Sequence, residues 1–411
     1  MKSLQSQSPV YPVYSAPGRK LYSLPVAARL RIAYGRAATG FAFTPEGEFP
    51  RRVRQGEILA MADGFPLLAP RSGPVECYPE EEIFDLRVEG ALKIGQGDAR
   101  ETLRRLENAP VEETFRRFVK EVREAGLPSF DFEATPLFRL FEIAAEGSEM
   151  TVILSTRDPE SAIAWDRLLG RGFAEVTALL ERLLSGRGSV PLQRYGGQGS
   201  FGLEQLERYG RFLPHVIARR VLGKSRPVRN DLSLAEQGIV FIGPATLYAV
   251  QSLLLDDRPF YSRPVALRVD GRRLRSSRVH ELPNGYPLKE VFGQIRNPES
   301  LGFLAGDFVR NRETVHTLED LPHLNLFRHS AFYASRRHRQ RYDLNLPCTG
   351  CMACQRICPV DAAPLALVEG RPGLFDADEC LDCGLCTFVC DSSIPIADAI
   401  ARLRAGDGET A

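Results

Sequence analysis

CTGCMACQRICP at residues 348–359 and CLDCGLCTFVC at residues 380–390 hold eight of the chain's nine cysteines in one repeated spacing, Cys-x2-Cys-x2-Cys-x3-Cys. Soft thiolate sulfurs select iron-sulfur clusters; three closely spaced cysteines suit three corners of a cubane, and a fourth comes from a distant part of the chain. The doubled run is the ligand pattern of two [4Fe-4S] clusters, with Cys348, Cys351, Cys354, Cys358, Cys380, Cys383, Cys386 and Cys390 as the metal ligands. Structural zinc usually takes two CxxC pairs at longer separation and seldom a third cysteine each time. Disulfides fit less well still, because such packed runs make an unusual framework for a 411-residue chain with no secretion signal evident. The first run ends on Pro359, but the matching position of the second is Asp391. Losing a proline there restores an N–H donor near a sulfur, which shifts the potential without abolishing ligation.

The runs resemble those of the two-cluster ferredoxins, in which the fourth cysteine of each run serves the other cluster. Carried onto this chain, that resemblance implies one site of Cys348, Cys351, Cys354 and Cys390 and another of Cys380, Cys383, Cys386 and Cys358. Such crossing would lock the two halves together.

Outward from the cysteines, charge changes sharply. Between Asp343 and Ile400 nine acids (Asp343, Asp361, Glu369, Asp376, Asp378, Glu379, Asp382, Asp391, Asp398) face only Arg356 and Arg371, a net of −7 within a chain of net +1. Since reduction adds negative charge, this surplus predicts low-potential clusters whose midpoints rise when Asp382 and Asp391 are neutralised. Just before lies Arg336-Arg337-His338-Arg339-Gln340-Arg341. The favoured reading of this run is a solvated linker helix; the alternative is contact with lipid headgroups or an acidic redox partner. No interleaved aromatic platform accompanies it, so nucleic acid is not an expected partner.

The chain is 44% apolar and 9% aromatic, enough for ordinary cores in two to four domains. No uninterrupted apolar run reaches the roughly 18 to 20 residues that cross a bilayer. The chain is expected to be soluble or peripheral, and with the reduced thiols that clusters need its expected location is cytoplasmic.

The expected fold class is α+β and multidomain. Residues 1–100 read as a β domain of short strands and hairpins, with VRQGE at 53–57 and APRSGPV at 69–75 resembling a barrel-sandwich hybrid. Carriers of that fold present a lysine at the hairpin tip; here the tip is Ala62-Asp63-Gly64-Phe65, which speaks against a swinging arm. Cys77 in this unit is expected as a small buried apolar residue. Residues 101–262 alternate helices and buried strands: a helix at 111–125, a strand at 150–155, helices at about 160–169 and 172–184, an extended piece at 189–195, a helix from Leu203, a strand at 238–243 and a helix at 245–255. That order predicts a doubly wound sheet. Gly197-Gln198-Gly199-Ser200-Phe201-Gly202 satisfies GxGxxG, but Arg219-Arg220-Val221 stands where a dinucleotide site needs an acid, so a glycine loop without nucleotide is the favoured reading. Residues 263–315 fit a small β-grasp module, and 316–411 hold the basic linker and a helical dicluster domain. The six histidines (His215, His280, His316, His323, His329, His338) are dispersed, with no i, i+4 metal pair around an acid, and Trp165 reads as helix packing. Catalytic residues are not expected.

In order, these pieces resemble the RnfC component of the Rnf ferredoxin:NAD oxidoreductase and the NqrA component of the sodium-translocating NADH:quinone reductase (Nqr). Three stretches carry it: VRQGEIL with APRSGPV, the central GIVFIGPATLYAVQSLLLDDRPFYSRPVALRVDG, and the cysteine runs closing on Cys390-Asp391-Ser392-Ser393-Ile394-Pro395-Ile396. The cysteines favour the Rnf side, which implies a complex-I-like α/β core, a soluble-ligand-binding (SLBB-like) β-grasp module and two [4Fe-4S] clusters. It also implies soluble and membrane partner subunits with ferredoxin or a similar donor. Flavin-binding members carry GxGGAGFPT near the start of the core, whereas Ala125-Gly126-Leu127-Pro128-Ser129-Phe130-Asp131-Phe132-Glu133-Ala134-Thr135-Pro136 stands there in this chain. Its acids and aromatics obstruct a phosphate cradle, so neither FMN nor NAD is an expected cofactor. The expected function is that of an electron relay within a larger redox complex. The alternatives are a flavin-dependent NAD(P)H reductase like the cobalamin reductases, which would need bound flavin, and an interaction protein whose clusters only brace a surface.

Overall fold

The structure is a computed structural model that describes residues 21–22, 27–89, 100–132, 134–147, 149–156, 163, 165–170, 172–185, 213–222, 230–270, 275–293, 301–306, 313–315, 317–319, 321, 323–328, 331–335 and 347–405. The GxGxxG loop, the extended piece at 189–195, the start of the helix at Leu203, the basic run at 336–341 and His316, His329 and His338 lie outside the described residues.

Short alternating segments near the N-terminus build two small antiparallel sheets. One has the strand order Arg29–Ala33, Ile83–Arg87, Gly73–Tyr78, Arg51–Val53; the other has Thr44–Pro45, Ile58–Ala62, Phe65–Leu68. Ile58–Ala62 and Phe65–Leu68 are joined by Asp63 (φ 48°) and Gly64 (φ 78°), the two left-handed residues that a tight hairpin turn requires. Leu59, Val75, Phe84 and Leu86 are fully buried between the sheets. Cys77 packs against the main core as expected but is only half-buried, its sulfur lying 3.7 Å from the Tyr34 hydroxyl.

The central part forms helices where apolar residues recur at three and four. Val111–Glu124 buries Phe118, Val119 and Val122 on one face and carries Glu112 and Glu113 in its first turn, where the helix dipole favours acids. Thr151–Leu154 pairs in parallel with Ile239–Ile242; both are almost wholly buried, as strands covered on two faces must be. Helices Trp165–Leu169, Gly172–Leu184, Pro214–Leu222 and Asp231–Ala235 lie in the crossover between them. Among the described residues this parallel sheet has two strands. Helix Pro244–Asp256 follows at once, with proline in its first turn and apolar residues on most of its surface. Trp165 is buried with its ring 5.9 Å from that of Tyr248, the packing role expected of it.

A mixed six-stranded sheet comes next, in the order Leu21–Tyr22, Arg275–Pro283, Ser262–Asp270, Ala331–Ser335, Gly302–Gly306, Glu313–Val315. The module expected over 263–315 therefore extends beyond both limits. It takes Leu21–Tyr22 as a parallel edge strand and Ala331–Ser335 between two others, because open strand edges are satisfied by whichever extended segments reach them. Phe41, Phe43 and Phe65 from the N-terminal part meet Phe327 with ring centroids 5.4 to 6.2 Å apart, and Phe327 meets Phe260 at 6.0 Å, fusing the three parts through one core. Arg258, only 10% exposed, pairs with Glu281 at 2.8 Å across the same seam. The C-terminal region is turns and short helices, with its own small core of Cys354, Ala362, Phe375, Cys386, Ile396 and Ile400. Among the described residues no helix is long and apolar enough to cross a membrane.

Candidate iron-sulfur centre

The second cysteine run repeats the first 32 residues later, and the backbone repeats with it. Left-handed residues recur at matching positions: Gly350 and Asp382, Met352 and Gly384, Asp361 and Ser393. Each run therefore turns sharply before a one-turn helix, Ala353–Ile357 or Leu385–Phe388, and again after its fourth cysteine. Four residues past that cysteine an amide points back at its sulfur: Ala362 N–H donates to Cys358 Sγ at 3.3 Å and Ile394 N–H to Cys390 Sγ at 3.4 Å. Gly350 N–H donates likewise to Cys348 Sγ at 3.4 Å. Amides aimed at sulfur stabilise thiolate and raise cluster potential.

The two one-turn helices pack against each other and bring cysteines of opposite runs together. Burial pushes the Cys383 and Cys386 thiols up to about 12 and Cys380 up to about 11, and in each case the charge of Cys358, from the other run, acts in the same direction. Cys354 is raised by burial and by its neighbours Cys390 and Cys351. Thus Cys358 sits among the first three cysteines of the second run, and Cys390 beside Cys354 of the first. Cys358, Cys380, Cys383 and Cys386 line one cavity of about 320 Å³, walled by Phe375, Leu385 and Ile400. Among the described residues no three His, Cys, Asp or Glu side chains converge closely enough to hold a single metal ion. Four sulfurs spread around an apolar-walled cavity fit a cluster, whose ligands sit on separate iron corners, and iron would hold the raised thiols as thiolates.

The two groups differ in surroundings. Cys348 and Cys351 are exposed, whereas their counterparts Cys380 and Cys383 are half-buried. Leu385 is 1% exposed within the main core, with Leu381, Cys383 and Phe388 packed against it. Arg219 of helix Pro214–Leu222 pairs with Glu379 at 2.8 Å beside the second run. From the far side, Arg404 of helix Ile396–Ala405 donates to Ala377 O at 2.7 Å and Cys380 O at 2.8 Å and pairs with Asp382. The two runs are also stitched by Ser392, whose hydroxyl donates to Pro347 O at 2.9 Å. These arginines moderate the expected acid surplus: Glu379, Asp382 and Glu369 meet Arg219, Arg404 and Arg371. Two of the three come from outside the segment whose charge was counted. No histidine lines the cavity. His215 and His280 are buried elsewhere, and burial lowers the pKa of His323.

In the body, the stretch 125–136 folds back on itself, Pro128–Ser129 pairing with Thr135–Pro136. This delivers the Asp131 carboxylate to the start of helix Pro244–Asp256, where it accepts from Gly243 N–H at 2.8 Å and the Thr246 hydroxyl at 3.1 Å. A Cβ at Gly243 would overlap that carboxylate. The helix N-terminus is thus served by the chain's own anion.

Residues 347–394 match the 4Fe-4S dicluster domain family, so the cysteines between 348 and 390 are those of a 4Fe-4S region. No curated protein matches the chain. Among solved structures it is similar to the crystal structures of an NAD+-reducing [NiFe]-hydrogenase. In the H2-reduced state the TM-score is 0.43 at 16% identity, over 78% of this chain and 67% of that one. In the air-oxidized state the values are 0.41 and 15%, over 80% and 68%.

Proposed function

We propose that the chain is an electron-relay subunit of an Rnf- or Nqr-like membrane-associated redox complex, working between a cytoplasmic donor such as ferredoxin and subunits at the membrane. The observation that carries this reading is the placement of Cys358 among Cys380, Cys383 and Cys386, and of Cys390 beside Cys354. The ligand sets are then Cys348, Cys351, Cys354 and Cys390 on one side, and Cys358, Cys380, Cys383 and Cys386 on the other. Bound [4Fe-4S] clusters supply one-electron carriers whose potentials the surroundings tune. The chain's own part is to hold eight thiols in place, to keep water from the inner set and to aim amides at three sulfurs. Asp131 at the start of Pro244–Asp256 supports a body with the shape of the flavin-binding cores but neither FMN nor NAD, since a phosphate there would meet a carboxylate.

An anaerobic redox titration followed by absorbance tests this reading. A relay bleaches and recovers reversibly, and its reduced form is reoxidised on mixing with an oxidised ferredoxin. Clusters that merely brace a surface would not cycle, and their removal by a chelator would only unfold the C-terminal region.

A further inference from the structure

We infer that Arg404 is a positioning and tuning residue for the inner set alone, keeping the site of Cys358, Cys380, Cys383 and Cys386 reducible in spite of its burial and of Asp382. This rests on the relay reading above. Burial opposes the extra negative charge that reduction adds, and so does a nearby carboxylate. Asp382 supplies that carboxylate: its Oδ1 lies 3.9 Å from Cys380 Sγ. Arg404 answers both. It pairs with Asp382 while its Nη2 reaches the carbonyls of Ala377 and Cys380 at 2.7 and 2.8 Å, so its cation is fixed against the backbone of a ligand. Hydrogen bonds to two carbonyls give the guanidinium a defined geometry that a lone exposed ion pair lacks.

The outer set shares only the backbone contact: Arg356 donates from Nη2 to Cys351 O at 3.1 Å, without a carboxylate at the position of Asp382. Where the second run has Asp382 the first has Gly350, and 32 residues before Arg404 stands Pro372. Instead of facing a carboxylate, Cys348 Sγ receives the Gly350 amide. A pair of opposite charges therefore acts at one site of an otherwise repeated structure, which makes the other site an internal control. Levelling two carriers matters for a relay because an inner site far below the outer one would make an electron step from the outer to the inner site uphill.

The test is an EPR-monitored redox titration of the full-length protein, prepared without oxygen and assayed for iron and sulfide. A soluble dysprosium chelate assigns the signals, since it relaxes the exposed outer site more strongly. In Arg404→Gln the inner midpoint should fall, changing its oxidised-to-reduced ratio at fixed potential by roughly tenfold, which is 59 mV for one electron. The outer midpoint should stay put. Asp382→Asn should raise the inner midpoint, the double variant should return towards the parent, and Arg404→Lys should keep much of the parent value. An unchanged inner midpoint in a loaded Arg404→Gln protein, or equal movement of both sites, overturns the inference, even if melting temperature falls, because the arginine would then only brace its helix. If Arg404→Gln fails to load, Asp382→Asn decides alone: no rise overturns the inference. Parent protein without iron and sulfide overturns the relay reading itself and this inference with it.

Discussion

Leu381, Leu385 and Phe388 occupy the second cysteine run where the first has Thr349, Ala353 and Arg356, and the two runs have come to rest in different places. One backbone pattern and one ligand spacing serve both, so these three side chains, of which Leu381 and Leu385 also line the thiol cavity, distinguish the run that meets the main core. The apolar version lies against the body with Leu385 in the main core; the other reaches that core through Ile357 but leaves Cys348 and Cys351 at the surface. A repeated motif can thus set one cysteine spacing in two surroundings, one more exposed and one seated in the main core.

The largest break in this comparison comes from the ligands. Cys383→Ser and Cys348→Ser should each cost about half of the bound iron if each run anchors one [4Fe-4S] cluster. Only Cys383→Ser should also release the C-terminal region from the body, read as new cleavage in limited proteolysis. Equal proteolysis in both variants would mean that the two runs contribute alike to docking.

Next in size is the packing contact itself. Leu385→Ala should destabilise docking by about 2–5 kcal/mol, the cost of emptying a buried leucine site. Its counterpart Ala353→Leu, on the partly exposed run, should change stability by less than about 1 kcal/mol. Denaturant unfolding of the two variants compares the faces directly, and similar losses would remove the claimed difference.

Asp131→Ala addresses a contrast on a larger scale, between a thiol-lined cavity and a helix start closed by the chain's own carboxylate. Removing the carboxylate leaves Gly243 N–H and Thr246 without their acceptor, which should cost about 1–3 kcal/mol in thermal unfolding. A neutral outcome would mean that Asp131 does not hold that helix start. The smallest effect belongs to Glu379→Gln: with Arg219 and Glu379 each about a third exposed, the pair should contribute no more than about 1 kcal/mol, and less in high salt. A loss of several kcal/mol would shift the anchoring from Leu385 to this ion pair.

The fold was legible wherever pattern is local. The helix at Val111–Glu124, the strands Thr151–Leu154 and Ile239–Ile242 and the hairpin turn at Asp63-Gly64 follow from spacing, burial and turn chemistry within a few residues. The extent of the six-stranded sheet was not, because Leu21–Tyr22 and Ala331–Ser335 join it from far along the chain and strand pairing leaves no local mark. The cysteine runs identified a 4Fe-4S region. Which run faces the body was written in Leu381, Leu385 and Phe388, but it emerges only when the runs are aligned residue by residue. Arg404 escaped the charge count because a helix returns it to Cys380 from beyond the counted segment, and Arg219 because it lies 160 residues before its partner.

The central claim is that these eight thiols hold two clusters and that the body holds no flavin. Anaerobic purification followed by assays of iron, acid-labile sulfide and flavin, with absorption spectra before and after dithionite, tests it most directly. The account predicts about eight irons and eight sulfides per chain, bleaching on reduction and no flavin. Stoichiometric flavin would contradict the reading of the body, and zinc in place of iron would contradict the whole account.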